Sequence, residues 1–189
     1  MLIAVPTGVK VFNWITTMYK GSLTFETPML FSIAFVILFT FGGFTGLMLS
    51  IAAADMQYHD TYFVVAHFHY VMVAGAVFSG TAAIYYWLPK WCGKMYNETM
   101  GQVQFWVAFI GFNIAFMPQH FLGLAGMPRR YADYGLQFAD WNMVSSIGAF
   151  IYGGAQLMLL YNVIATIRNG KPTTEEKTWE GAEGLEWTV

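Results

Sequence analysis

Two histidines, His67 and His69, stand two residues apart in the stretch HDTYFVVAHFHY, which runs from His59 to Tyr70. On a helix, successive side chains turn by about 100° and rise by about 1.5 Å, so the two imidazoles point roughly 200° apart, to nearly opposite faces. A single metal is poorly served by that arrangement, because a helical pair that shares a metal sits four residues apart on one face. Two cofactors, one on each side of the helix, suit it well, and imidazole is a common axial ligand of heme iron. A histidine inside a membrane span is costly and marks a functional site by default. Either histidine alone reads equally well as a hydrogen-bonding link to a neighbouring helix. The pair, taken with its neighbours, favours ligation.

Other candidates surround the pair. Tyr62 lies seven residues before His69 and shares its face, about two turns away. His59 and Asp60 sit just before the helix and together make half of a hard-cation site; Asp60 alone reads equally well as the helix N-cap. Phe68 points sideways between the two histidine faces. Thr7 and Lys10 are three apart and share a face, where Lys10 by itself reads as a lysine snorkelling from a helix end. Arg129 and Arg130 are adjacent, and His120 is expected to be structural. The single cysteine, Cys92, excludes an intrachain disulfide framework.

The elements that hold these residues are expected to be membrane-spanning helices. Of the 189 residues, 57% are hydrophobic and 11% charged, where soluble domains run nearer a quarter charged. Crossing a bilayer takes roughly 20 apolar residues. Four uncharged stretches reach that length, at about 29–54, 61–88, 103–126 and 141–165, while residues 1–17 supply only part of a span. Strand alternation, heptads and internal repeats are absent, and only helices then satisfy the backbone in lipid. The fold class is therefore all-α: a polytopic transmembrane bundle with four full spans and one partial N-terminal span. A polar, solvated tail is expected from about residue 169. The first segment is not a secretory signal, since Pro6, Gly8 and Lys10 interrupt it.

Four crossings place Lys20, Lys90, Lys94, Arg168, Lys171 and Lys177 on one side, and only Arg129 and Arg130 on the other. Loops on the cytoplasmic or matrix side carry the Lys/Arg excess, so the C-terminus is expected inside. Arg129 and Arg130 break the pattern, which suggests an anionic group held on the outer side. The net charge of −2 argues against a nucleic-acid partner.

Four blocks carry a resemblance to subunit I of the cytochrome c oxidase family: VPTGVKVFNW (5–14), HDTYFVVAHFHYV (59–71), PQHFLGLAGMPRRYADY (118–134) and LEW (185–187). The likeness covers essentially the whole chain, and the HDTY…AHFHY and GMPRRY blocks are highly specific. It implies that the chain corresponds to the end of the eighth and all of the ninth to twelfth helices of a twelve-helix subunit. By resemblance, His67 is the axial ligand of heme a3 and His69 one of two axial ligands of heme a. His59 and Asp60 resemble magnesium ligands, completed by a glutamate of subunit II. Arg129 and Arg130 resemble the pair that binds heme propionates, and Tyr62 a hydrogen-bonding neighbour of a heme a propionate. Lys10, with Thr7 beside it, resembles the lysine of the K proton pathway.

The implied activity is reduction of dioxygen to water with electrons from cytochrome c, coupled to proton pumping. The implied cofactors are heme a, heme a3, copper and magnesium. The implied partners are the N-terminal part of subunit I, subunits II and III, cytochrome c and membrane lipid, in a bacterial plasma membrane or a mitochondrial inner membrane. The copper ligands, the second heme a ligand and the start of the D proton pathway belong to an N-terminal part that this sequence does not include, so this chain alone is expected to be inactive. An incomplete sequence and a split gene both account for that. Three rivals remain: a quinol oxidase of the same family, a bis-histidine membrane cytochrome that only passes electrons, and a transporter with no redox cofactor.

Overall fold

The computed structural model describes residues 1–173, 178–179 and 184–187. Lys177, counted above among the inner cations, lies outside the described residues. The chain runs through α1 (Ala4–Met18), α2 (Thr27–Leu49), α3 (Ala52–Tyr58), α4 (Tyr62–Met72), a π-helical turn at Val73–Phe78, and α5 (Ser79–Cys92). It continues through α6 (Glu98–Leu124) and, after a 3-10 turn at Leu136–Phe138, α7 (Ala139–Asn169). Four stretches are long and apolar enough to cross a membrane: Thr27–Leu49, Tyr62–Cys92, Glu98–Leu124 and Leu136–Asn169. The expected all-α bundle is what is found. α1, with 15 residues, reaches only about 22 Å at 1.5 Å per residue, less than the roughly 30 Å hydrocarbon core.

The element ends depart from the sequence reading, each for a local reason. The first full span stops at Leu49, because Ile51 adopts an extended backbone that starts the separate short helix α3. The second span runs past Pro89 to Cys92, where Gly93, in the left-handed region, closes it with an N–H to the Pro89 carbonyl at 2.8 Å. The third starts at Glu98 because the Asn97 side chain caps it, accepting from the Met100 N–H at 3.0 Å. The fourth extends to Asn169. A two-residue antiparallel ladder, β1 (Lys94–Met95) on β2 (Lys171–Pro172), ties the α5–α6 loop to the end of α7. The strand-free expectation missed it.

The tail corrects a further expectation. Trp179 and Trp187 are buried, and both clasp Tyr86 on α5. The Trp179 indole N–H donates to the Tyr86 carbonyl at 2.9 Å, and the Trp187 N–H to its hydroxyl at 3.0 Å. Indole rings bring large apolar faces and one donor that must be satisfied, so these two residues fold back where a polar tail was expected.

Helix packing in lipid depends on close fit, since lipid tails are as apolar as the helix faces. The core between α2, α4, α5 and α6 is aromatic, with Phe31, Tyr70, Phe78, Tyr85, Phe105 and Phe112 buried together. The Tyr70 hydroxyl donates to Asn113 Oδ1 at 2.8 Å. At the N-terminal end of α4, α6 crosses so closely that a methyl on Gly123 would overlap the Phe63 backbone nitrogen. That crossing, with α2 on the other flank, fixes α4 between two helices.

Candidate functional site

α4 begins at a turn that gathers four of the sequence candidates. Asp60 sits in the left-handed region at φ 52°, a conformation that aspartate tolerates better than most residues. The N-cap is Thr61, whose hydroxyl accepts from the Phe63 N–H at 3.3 Å. Asp60, read above as an equally good cap, does not fill that role. Its backbone turns the carboxylate away, to 3.5 Å from His59 Nε2 and 3.8 Å from Arg129 Nε.

The loop after α6 zips onto this turn. Tyr62 N–H donates to the Met127 carbonyl at 3.0 Å, and Arg129 N–H to the Asp60 carbonyl at 2.9 Å. Tyr62 packs on the buried cluster of Leu122, Met127 and Phe138. The Arg129 guanidinium lies 6.0 Å from the Phe68 ring centroid, within cation–π range. Arg130 is exposed, at φ 67°. Residues about 70 positions apart in sequence, His59 to Tyr62 and Arg129 to Arg130, thus share one end of the bundle.

The two imidazoles leave α4 on different flanks. His67 points to α2. Its Nδ1 lies 2.8 Å from the Gly42 carbonyl and 3.1 Å from the Thr45 hydroxyl. A carbonyl only accepts, so Nδ1 carries the proton and Nε2 keeps its lone pair. The Cε1 edge of the ring abuts Gly46, where a methyl would come within 2.6 Å of Cε1. His69 points to α6 and stacks on Phe116, with ring centroids 4.2 Å apart at 17°. Its Nδ1 lies 2.7 Å from the Val65 carbonyl, which sets the same tautomer. Both side chains are half-buried in this chain.

These rings are suited to iron ligation. Metal-ligating histidines donate the far ring N–H to a carbonyl or carboxylate, which orients the ring and raises its basicity. His67 and His69 both do so, and each leaves the Nε2 lone pair available. Propionates suit the guanidinium pair, which offers planar, bidentate donors. A divalent ion at His59 and Asp60 would still need ligands from elsewhere: among the described residues, no group of three or more His, Cys, Asp or Glu side chains comes together.

Lys10 and Thr7 stand apart from this constellation. Both are on α1, where Lys10 is exposed, its Nζ 5.9 Å from the Trp14 ring. The Thr7 hydroxyl donates to the Ile3 carbonyl at 2.8 Å. His120 is buried among Phe41, Phe63 and Tyr70, and its Nδ1 lies 3.3 Å from the Met117 carbonyl.

Sequence reasoning missed the residues that seat the rings: Gly42, Thr45 and Gly46 for His67, and Phe116 for His69. The glycines at 42 and 46, one helical turn apart, were the available signal, since small residues mark close helix approach. It also missed the π-helical turn directly after the histidines, a feature frequent at functional sites.

Comparison with known proteins bears on the chain as a whole. The sequence model of the family described as "Cytochrome C and Quinol oxidase polypeptide I" matches residues 1–151. Cytochrome c oxidase subunit 1 of Cereibacter sphaeroides is 53% identical over 190 residues, covering all of this chain and 34% of the relative. Cytochrome c oxidase subunit 1 of Bacillus sp. (strain PS3) is 52% identical over 192 residues, covering all of this chain and 31% of the relative. The chain thus spans about a third of the length of these curated relatives. A cryo-EM structure of a heme-copper terminal oxidase dimer superimposes with a TM-score of 0.70 at 19% identity, over 78% of this chain and 28% of that one. At that identity the likeness speaks for the fold.

Proposed function

The chain belongs to the cytochrome c and quinol oxidase polypeptide I family, and from that premise we propose that it is the heme-ligating C-terminal part of the catalytic subunit of a terminal respiratory oxidase. The family and the four apolar helices make it an integral membrane protein. One observation carries the proposal. Two imidazoles leave opposite flanks of one helix, each with Nδ1 held by a carbonyl and Nε2 left open. That is the disposition needed to ligate two separate irons from one helix.

When bound, the hemes supply electron transfer and oxygen chemistry. The chain's residues hold and tune them. Gly42 and Thr45 orient the His67 ring toward heme a3, and Val65 and Phe116 orient His69 toward heme a. Arg129 and Arg130, with Tyr62, take the propionates at the outer end of α4. His59 and Asp60 contribute half of a magnesium site, completed by a partner subunit. Thr7 and Lys10 form part of a proton pathway toward the dinuclear centre, whose copper is held by residues outside this chain.

In the assembled oxidase, electrons come from cytochrome c through subunit II, dioxygen is reduced to water, and protons are translocated. Both relatives compared carry the name cytochrome c oxidase, which favours cytochrome c over quinol as the donor. The C-terminus faces the cytoplasm or matrix, the side that holds Lys20, Lys90, Lys94, Arg168 and Lys171.

Replacing His67 by alanine in the intact complex should remove the high-spin heme signal, and replacing His69 the low-spin one. Loss of the same single heme in both variants overturns the assignment of two irons.

A further inference from the structure

Tyr70 follows His69 directly and His67 by three residues. At about 100° per residue, its side chain leaves α4 about 60° from His67 and about 100° from His69, on the face between them. It is 1% exposed, and the roles assigned above do not use it.

This face is the seam between α4 and α6. Phe63, seven residues before Tyr70, lies on the same side of α4, at the point where Gly123 has no room for a Cβ. Phe63 and Tyr70 both meet the His120 ring of α6, with centroids 5.3 and 5.4 Å apart. Seven residues before His120 on α6, Asn113 Oδ1 accepts from the Tyr70 hydroxyl at 2.8 Å. Asn113 Nδ2 donates to the Phe109 carbonyl at 2.8 Å, which fixes the amide so that Oδ1 is the atom presented to Tyr70.

The same side chain reaches the seats of both imidazoles. A methyl on Gly42 would come 2.9 Å from Tyr70 Cβ and 3.0 Å from its carbonyl carbon, and Gly42 is the residue whose carbonyl holds His67 Nδ1. The Tyr70 ring packs between Phe41 of α2 and Phe112 of α6, at 5.0 and 4.9 Å. Phe112 packs in turn on Phe116 at 5.0 Å, the ring on which His69 stacks.

Rotation of α4 about its axis is the motion this arrangement resists. Side chains end about 5–6 Å from a helix axis, so a turn of about 10° sweeps each imidazole through about 1 Å. His67 and His69 stand on opposite flanks, so the same turn displaces both, in opposite directions. Apolar rings can slide along a seam, whereas a hydrogen bond demands a fixed distance and angle.

We propose that Tyr70, through its hydrogen bond to Asn113, is a positioning residue that sets the rotation of α4 and so aims both imidazoles together. The proposal rests on the reading of His67 and His69 as ligands of two irons.

Tyr70→Phe keeps the ring and deletes the bond. In the intact complex, the iron–histidine stretching band of the high-spin heme and the electron paramagnetic resonance g-values of the low-spin heme should both shift, with both hemes retained. Oxygen uptake should fall about tenfold, the effect of about half an ångström where about 1 Å costs a hundredfold. Asn113→Leu should give the same shifts, and the double variant no more than either single one, because each removes the same bond. A merely structural pair would lower thermal stability and leave both signals at their wild-type positions, and that result overturns the proposal. A shift confined to one heme overturns it equally. Should Tyr70→Phe fail to assemble, Asn113→Leu decides by the same signals. The underlying reading fails by a separate result: if His67→Ala and His69→Ala leave both heme signals intact, the irons are not held on α4, and the positioning role falls with them.

Discussion

The sharpest probe of the site leaves both histidines in place. Gly46 lies against the Cε1 edge of the His67 ring, and a methyl there would fall 2.6 Å from Cε1 and 3.3 Å from Nε2. Ordinary carbon–carbon contact is about 3.5–4.0 Å, so in Gly46→Ala the ring must retreat by roughly 1 Å. A retreat of that size breaks the 2.8 Å bond from Nδ1 to the Gly42 carbonyl and re-aims Nε2. The stability cost is that of an overpacked site, about 1–3 kcal/mol, partly offset by the better helix propensity of alanine, up to about 1 kcal/mol. The complex should therefore assemble. Displacing a reacting group by about 1 Å costs on the order of a hundredfold in rate, so oxygen uptake should fall about 10- to 100-fold. The high-spin heme spectrum should shift, and the low-spin spectrum should stay, because His69 is seated on Phe116 of a different helix. Gly153→Ala serves as a control for the backbone effect, since an added methyl meets nothing within 4 Å there. Normal turnover with an unshifted high-spin spectrum in Gly46→Ala would refute the claim that α2 sets the His67 ring.

Three further outcomes are expected. Arg130→Lys keeps the charge but loses the planar fork, so a heme midpoint potential should move without loss of heme; unchanged potentials in both Arg129→Lys and Arg130→Lys would remove the propionate role. Manganese substituted at His59 and Asp60 should give a paramagnetic resonance signal that Asp60→Ala abolishes, and a signal that persists would leave Asp60 only its contacts with His59 and Arg129. Lys10→Met should collapse turnover while both heme spectra stay normal, with Thr7→Ala a milder case; full oxygen uptake in Lys10→Met would return the lysine to an interfacial role.

The sequence by itself determined the class of the fold and the division of labour on α4. Run length and the scarcity of charge set the four spans, because a bilayer core demands a fixed apolar length and an internally bonded backbone. The helical period then sent His67 and His69 to different flanks before any neighbour was known. The marginal features were less legible. The second span, expected to end near 88, runs in the structure past Pro89 to the Gly93 cap, and the two tail tryptophans are outweighed in sequence by their polar neighbours. Only the tertiary structure decided what each imidazole meets. The carbonyls of Gly42 and Val65 set the tautomers, and a crossing with no room for a Cβ at Gly123 locks α4 against α6. The same structure turned Asp60 from a cap into a partner of Arg129, by joining a loop some 70 residues distant to the start of α4. Periodicity is a property of one helix and can be read along the chain. A seat for a ring, a tautomer or an ion pair belongs to two helices at once, and exists only after their separation and rotation are set by packing.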